Sequence, residues 1–139
     1  MSYKIVAKYL KDINFKIPNS KSFFFLTKNI SNYKINIDIK SNQIKENVIE
    51  IDTTLSLRPI KEDSNKIDTR IIYSTIIEVT QKNIEKENLE KIILIDVPSK
   101  IYSDLRKVFI FIFEQSGFKE IKISENVEFQ KLYSLKKIQ

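Results

Sequence analysis

The chain contains no cysteine, no histidine and no tryptophan, and its 139 residues include a single glycine, Gly117. Without Cys there is no disulfide, no thiolate nucleophile and no thiolate metal ligand. Without His there is no imidazole base to activate a Ser or Cys, and no imidazole ligand. A lone glycine excludes Gly-rich phosphate loops, which need close approach of the backbone. Together these absences argue against an enzyme: the sequence points to no catalytic residue, no cofactor and no metal. Asp104 and Glu114 do not restore an acid-base pair, because ten residues along one helix separate them by about 15 Å.

Long apolar runs are also missing. The longest, Val108 to Phe113, is far short of the ~20 residues that span a bilayer, and the opening MSYKIVAKYLKD is too charged for a signal peptide. A cytoplasmic protein without membrane insertion is expected. Apolar residues at 42% and charged residues at 30% suit a globular protein, and the length suits one domain over residues 1–139. The net charge of +6, from 24 Lys plus Arg against 18 Asp plus Glu, invites a nucleic-acid reading. Arginine stands only at Arg58, Arg70 and Arg106, and the lysines are scattered without a dense run. No nucleic-acid partner is therefore expected, and a basic nucleic-acid-binding module is kept as a rival reading.

What is present is period-two alternation followed by helical spacing. Tyr3, Ile5, Ala7, Tyr9, Ile13, Phe15 and Ile17 share one parity, with Lys4, Lys8, Asp12, Asn14 and Lys16 opposite, which predicts a strand over about 3–17 bent near Lys11. Pro18 ends it, and 18–32 reads as a long crossing loop that carries Phe23, Phe24 and Phe25. Three adjacent rings in a loop are either buried or displayed. Further strands are predicted at about 33–40, 48–58 and 69–80, with a polar turn over 41–47 and antiparallel pairing of the middle two. The last strand is apolar on both faces, through Ile71, Tyr73, Ile77 and Val79 on one side and Ile72 and Ile76 on the other. A second chain or a ligand groove is expected on that second face.

From Asn83 the period changes. Ile84, Leu89, Ile92, Ile93 and Val97 suit a short helix that Pro98 stops, and Ser99 opens the next. Ile101, Leu105, Val108 and Ile112 predict a long helix over about 99–116, ended by Gly117. Its VFIFIF segment is apolar all round, which implies burial on several sides and hence an oligomer. Residues 118–124 connect to a short final helix at about 126–136, with Phe129, Leu132 and Tyr133 at helical spacing and Ser124 and Asn126 as possible caps. The fold class is α+β: a four-stranded antiparallel sheet, then a long helix and a short C-terminal helix.

Three local patterns carry a family resemblance. The run Lys11-Asp12-Ile13-Asn14-Phe15-Lys16-Ile17-Pro18-Asn19 resembles the first-strand signature of the SecB protein-export chaperones, Lys-Asp-aliphatic-Ser-Phe-Glu-x-Pro. Val127-x-Phe129-x-x-Leu132-Tyr133 resembles that family's final-helix signature, and Pro98 and Arg106 stand eight apart, as in the family's long helix. The resemblance implies an ATP-independent holdase, a homotetramer built as a dimer of dimers, that keeps unfolded precursor proteins export-competent and passes them to SecA. It implies a client groove lined by Phe23, Phe24, Phe25, Ile30, Phe118, Ile121, Phe129, Leu132 and Tyr133. Subunit contacts fall on Ile5 and Ala7 of the first strand and on Tyr102, Leu105, Phe109, Ile112 and Phe113 of the long helix. Asp12 is the implied SecA contact. Lys16 stands where the family has Glu, Ile72 stands about where a second acid is expected, and no acidic tail follows Lys137. A SecB-like chaperone for a non-Sec client, such as an antitoxin, is the alternative.

Overall fold

The computed structural model describes residues 2–29, 33–59, 68–118, 123 and 125–138. In chain order it has β1 (Tyr3–Lys16), α1 (Ser20–Asn29), β2 (Tyr33–Lys45), β3 (Val48–Pro59), β4 (Asp68–Val79), α2 (Lys86–Lys91), a π-helical segment (Ile92–Asp96), α3 (Val97–Gln115) and α4 (Phe129–Ile138). The strands form one antiparallel sheet in the order β1-β4-β3-β2, so β1 and β2 are its edges. The α+β class and the sequence of sheet, long helix and short helix are as the periodicities predict.

The parity of β1 is not. Its pairing with β4 shifts register between Ile5 and Ala7 and again between Leu10 and Asp12, one extra residue each time. Each bulge turns the following side chains to the opposite face. Lys8 therefore points to the helix side, where its ammonium meets Asp104 of α3 at 3.1 Å, while the Tyr9 hydroxyl donates to Glu50 at 2.8 Å on the open face. The second bulge restores the original parity, and Phe15 packs edge-on against Phe113 of α3.

Residues 20–29 correct the expected crossing loop: they are helical. Pro18-Asn19-Ser20 has turn composition, but Asn19 acts as a helix cap, its Oδ1 accepting from the Ser22 N–H at 2.9 Å and its carbonyl from the Phe23 N–H at 3.1 Å. Ser22 and Leu26 are buried on one face, and Leu26 joins the core with Leu55, Leu57, Leu105 and Phe109. The polar turn at 41–47 is likewise shorter than expected. β2 runs on to Lys45, paired with β3, and the chain reverses at Asn47, whose φ of 65° a tight turn requires.

Pro98 does not separate two helices. The backbone is right-handed helical at Ile92 and at Val97, so α2, the π-helical segment and α3 follow one another without a break. Proline lacks an N–H and its ring crowds the carbonyl four residues back, so the wider π turn before it makes room. Ser99, expected as a cap, instead donates its hydroxyl to the Ile95 carbonyl.

Two apolar groups form the core under α3 and the π-helical segment. One joins Leu26, Leu55, Ile71 and Phe113, and the other Tyr3, Ile51, Ile77 and Val97. Between them in the sheet lie Thr53 and Thr75, both fully enclosed. The other face of β4 leaves Ile72 and Ile76 half-buried.

Candidate functional site

The C-terminus of α3 builds the first part of the site. Gly117 takes φ of 101°, its N–H donates to the Glu114 carbonyl at 3.2 Å, and the Phe118 N–H donates to the Phe113 carbonyl at 3.0 Å. This is a Schellman stop, and the accompanying apolar contact is Phe113 with Phe118, ring centroids 5.5 Å apart. Phe118 is thereby buried and offers its ring to Phe23 of α1 at 4.9 Å. Phe23 in turn meets Phe24 edge-on at 5.6 Å. The three consecutive rings thus take different positions. Phe23 packs partly into the core, Phe25 is half-buried, and Phe24 stands 62% exposed.

The second part lies where α4 meets the start of α3. Phe129 and Tyr133 are buried, Phe129 packs edge-on against Tyr102 at 6.1 Å, and the Tyr133 hydroxyl donates to Glu90 at 3.3 Å. Leu132, between them in sequence, is exposed. The incoming chain is held by Arg106, whose Nε–H donates to the Ile123 carbonyl at 3.1 Å. Burial pushes the Tyr102 phenol above its ordinary value, opposed by the charge of Arg106. Of the expected groove residues, Phe23, Phe24 and Phe118 are brought together at one end of α3, and Phe129 and Tyr133 at the other. Tyr102 and Phe113, eleven positions apart on α3, separate the ends by about 16 Å. Ile30 and Ile121 lie outside the described residues.

The expected subunit contacts divide sharply. Leu105, Phe109 and Phe113 have no exposed surface within the single chain, and Tyr102 has 3%, so they have almost nothing left for a partner to cover. Their burial is accounted for by the sheet, α1 and α4, because three or four helical positions suffice to fill one face. Ile112 is half-buried, and Ile5 and Ala7 are exposed on β1. Sequence reasoning missed Val6, Tyr9, Leu10 and Ile13 on the same strand, and Phe111 on α3, all large and exposed. The available signal was that β1 carries apolar residues at both parities.

Asp12 lies on the open face of the sheet, exposed, with a carboxylate oxygen 3.2 Å from the Arg70 guanidinium. Beside it, Lys11 donates to Glu50 and to Asp52, each at 2.8 Å. Bonding to Asp52 and then Glu50 holds the Lys11 ammonium above the usual lysine range, and bonding from Lys11 and then Tyr9 holds Glu50 below the usual carboxylate value. Among the described residues no group of three or more acidic side chains has the arrangement of a metal site, and no helix is long and apolar enough to cross a membrane.

Comparison with known proteins agrees with this architecture. The family model described as preprotein translocase subunit SecB matches residues 1–139. A putative protein-export protein SecB of Pelagibacter ubique is 38% identical over 132 residues, covering 95% of this chain and 94% of its own. Protein-export protein SecB 1 of Gluconobacter oxydans is 26% identical over 149 residues, covering 100% of this chain and 84% of its own. Among solved structures, a Mycobacterium tuberculosis SecB-like chaperone, in complex with a ChAD peptide from an antitoxin, superposes with a TM-score of 0.67 at 8% identity. That match covers 91% of this chain and 88% of the other, and it shows a shared fold. By its family match and its relatives, the chain belongs to the SecB family of protein-export chaperones.

Proposed function

We propose that this chaperone holds extended, unfolded precursor proteins on the surface that displays Phe24, without nucleotide, in the cytoplasm. The observation that carries the reading is the exposure of Phe24 on a helix whose other face is fixed by Leu26 and Phe23. The ring, held at the end of an ordered aromatic row through Phe23 and Phe118, is presented to an apolar client side chain. Covering the exposed part of that ring contributes roughly 1–2 kcal/mol, too little to hold a client alone. A client that also reached Leu132, exposed on α4, would gain a second apolar contact. Holding is then weak at each contact and summed over several, and a symmetric assembly multiplies it.

The assembly we propose is a dimer made through β1, an edge strand of the sheet that exposes Ile5, Val6, Tyr9, Leu10 and Ile13. Pairing of two such dimers through the α3 surface around Phe111 gives the tetramer. For SecA, the reading is a weakened contact: Asp12 already has Arg70 beside it, and Lys16 presents a positive charge on the same strand. The deciding experiment is aggregation of an unfolded precursor in the presence of the parent protein or Phe24→Ser. The variant is expected to lose most of the protection at unchanged solution mass. Protection at the parent stoichiometry by Phe24→Ser would sink the assignment.

A further inference from the structure

We propose that Gly117 is a positioning residue for the client surface: having no side chain, it lets the Phe23 ring lodge against the end of α3 and so sets the pose in which α1 displays Phe24. This rests on the reading of Phe24 as a client contact. A Cβ placed on Gly117 would stand 3.2 Å from both Cε2 and Cζ of Phe23. Carbon atoms prefer to be several tenths of an ångström further apart, so one side has to move.

Gly117 is the less free of the two. Its N–H is bonded to the Glu114 carbonyl, the Ser116 N–H to those of Ile112 and Phe113, and the Phe118 N–H to that of Phe113. Phe23 is bounded by Phe118 at 4.9 Å on one side and by Phe24 at 5.6 Å on another. Phe118 is 3% exposed and packed on Phe113, so it cannot retreat. The remaining direction is outward: the far edge of the Phe23 ring tilts by a few tenths of an ångström, and through the edge-on contact it displaces the ring of Phe24 on α1. The glycine therefore has two separable tasks. Its φ of 101° closes the helix, and its missing Cβ seats a neighbour 94 positions earlier in the chain (117 − 23).

The test is a double-mutant cycle on the full-length protein, with fluorescein-labelled, reduced and carboxymethylated α-lactalbumin as the unfolded probe. Gly117→Ala is expected to weaken probe binding about tenfold, and in the Phe23→Leu background the same substitution is expected to change it less than twofold. Leucine lacks the ring atoms that the new Cβ meets. Amide hydrogen exchange should quicken in α1 of Gly117→Ala while β3 and β4 exchange as in the parent. Parent-like affinity of Gly117→Ala, an equal loss in both backgrounds, or loss of protection throughout the sheet would each overturn the proposal. Phe24→Ser, measured beside them, separates the two readings. If it binds the probe as the parent does, the client surface is misplaced and the role of Gly117 falls with it. If it loses binding while Gly117→Ala does not, only the role of Gly117 falls.

Discussion

Lys11, Glu50, Asp52 and Tyr9 form a connected polar cluster on the open face of the sheet, and its pH dependence follows from the shifts. Glu50 is held below its unfolded value, so its contribution is complete above about pH 4.3 and is lost as pH falls through the folded value. Lys11 is raised, so its contribution is complete below about pH 10.4 and is lost as pH rises past the folded value. Urea unfolding of Lys11→Met should therefore show a midpoint below the parent's on a plateau between roughly pH 5 and 10, with the gap closing in acid. The gap should be small, because the groups are partly exposed. Identical midpoints at pH 7 would mean that the cluster adds nothing. None of these partners was legible in the sequence. Alternation put Tyr9 with Tyr3 and Lys8 opposite them, whereas a bulge after Ile5 exchanges their faces. A bulge inserts a residue without changing composition, so a parity count cannot see it.

Helix α1 shows why some elements were legible and others were not. β2 and β3 alternate cleanly, β4 is rich in β-branched residues, and the stripe Ile101, Leu105, Val108, Ile112 with Gly117 marks α3 and its C-terminal end from sequence alone. Over 18–32 the same residues that favour turns also cap helices, and three successive phenylalanines have poor intrinsic helix preference. Tertiary packing decided it, through Leu26 in the core and Phe23 against Phe118. The cap is then a specific prediction. Asn19→Ala removes the acceptor for the Ser22 N–H and should lower stability by about 1 kcal/mol in urea titration, with faster exchange confined to α1. A cost below a few tenths would mean that packing alone holds the helix. The continuity through Pro98 was illegible for a related reason, since a proline reads as a stop unless the preceding turn widens.

For the whole molecule, the order of elements was legible, and the three local patterns at Lys11–Asn19, Pro98/Arg106 and Val127–Tyr133 placed the family resemblance on it. What one chain covers by itself was not legible. Of the residues expected in subunit contacts, Leu105, Phe109 and Phe113 of α3 are already sealed inside, whereas Ile5 and Ala7 of β1 are exposed, and Val6, Tyr9, Leu10, Ile13 and Phe111 are exposed besides. An edge strand that carries apolar side chains on both faces invites a second strand. Val6 sits at the first bulge, 55% exposed, where a lysine can reach water in the single chain but not once another strand lies against it. Val6→Lys should therefore reduce the solution mass measured by light scattering toward that of one chain, leave the far-ultraviolet spectrum unchanged, and weaken precursor holding through loss of multivalent contact. Phe111→Ser, acting on the other proposed contact, should stop at the dimer. If Val6→Lys keeps the full mass and Phe111→Ser gives single chains, the order of assembly is reversed and α3, not β1, makes the primary pair.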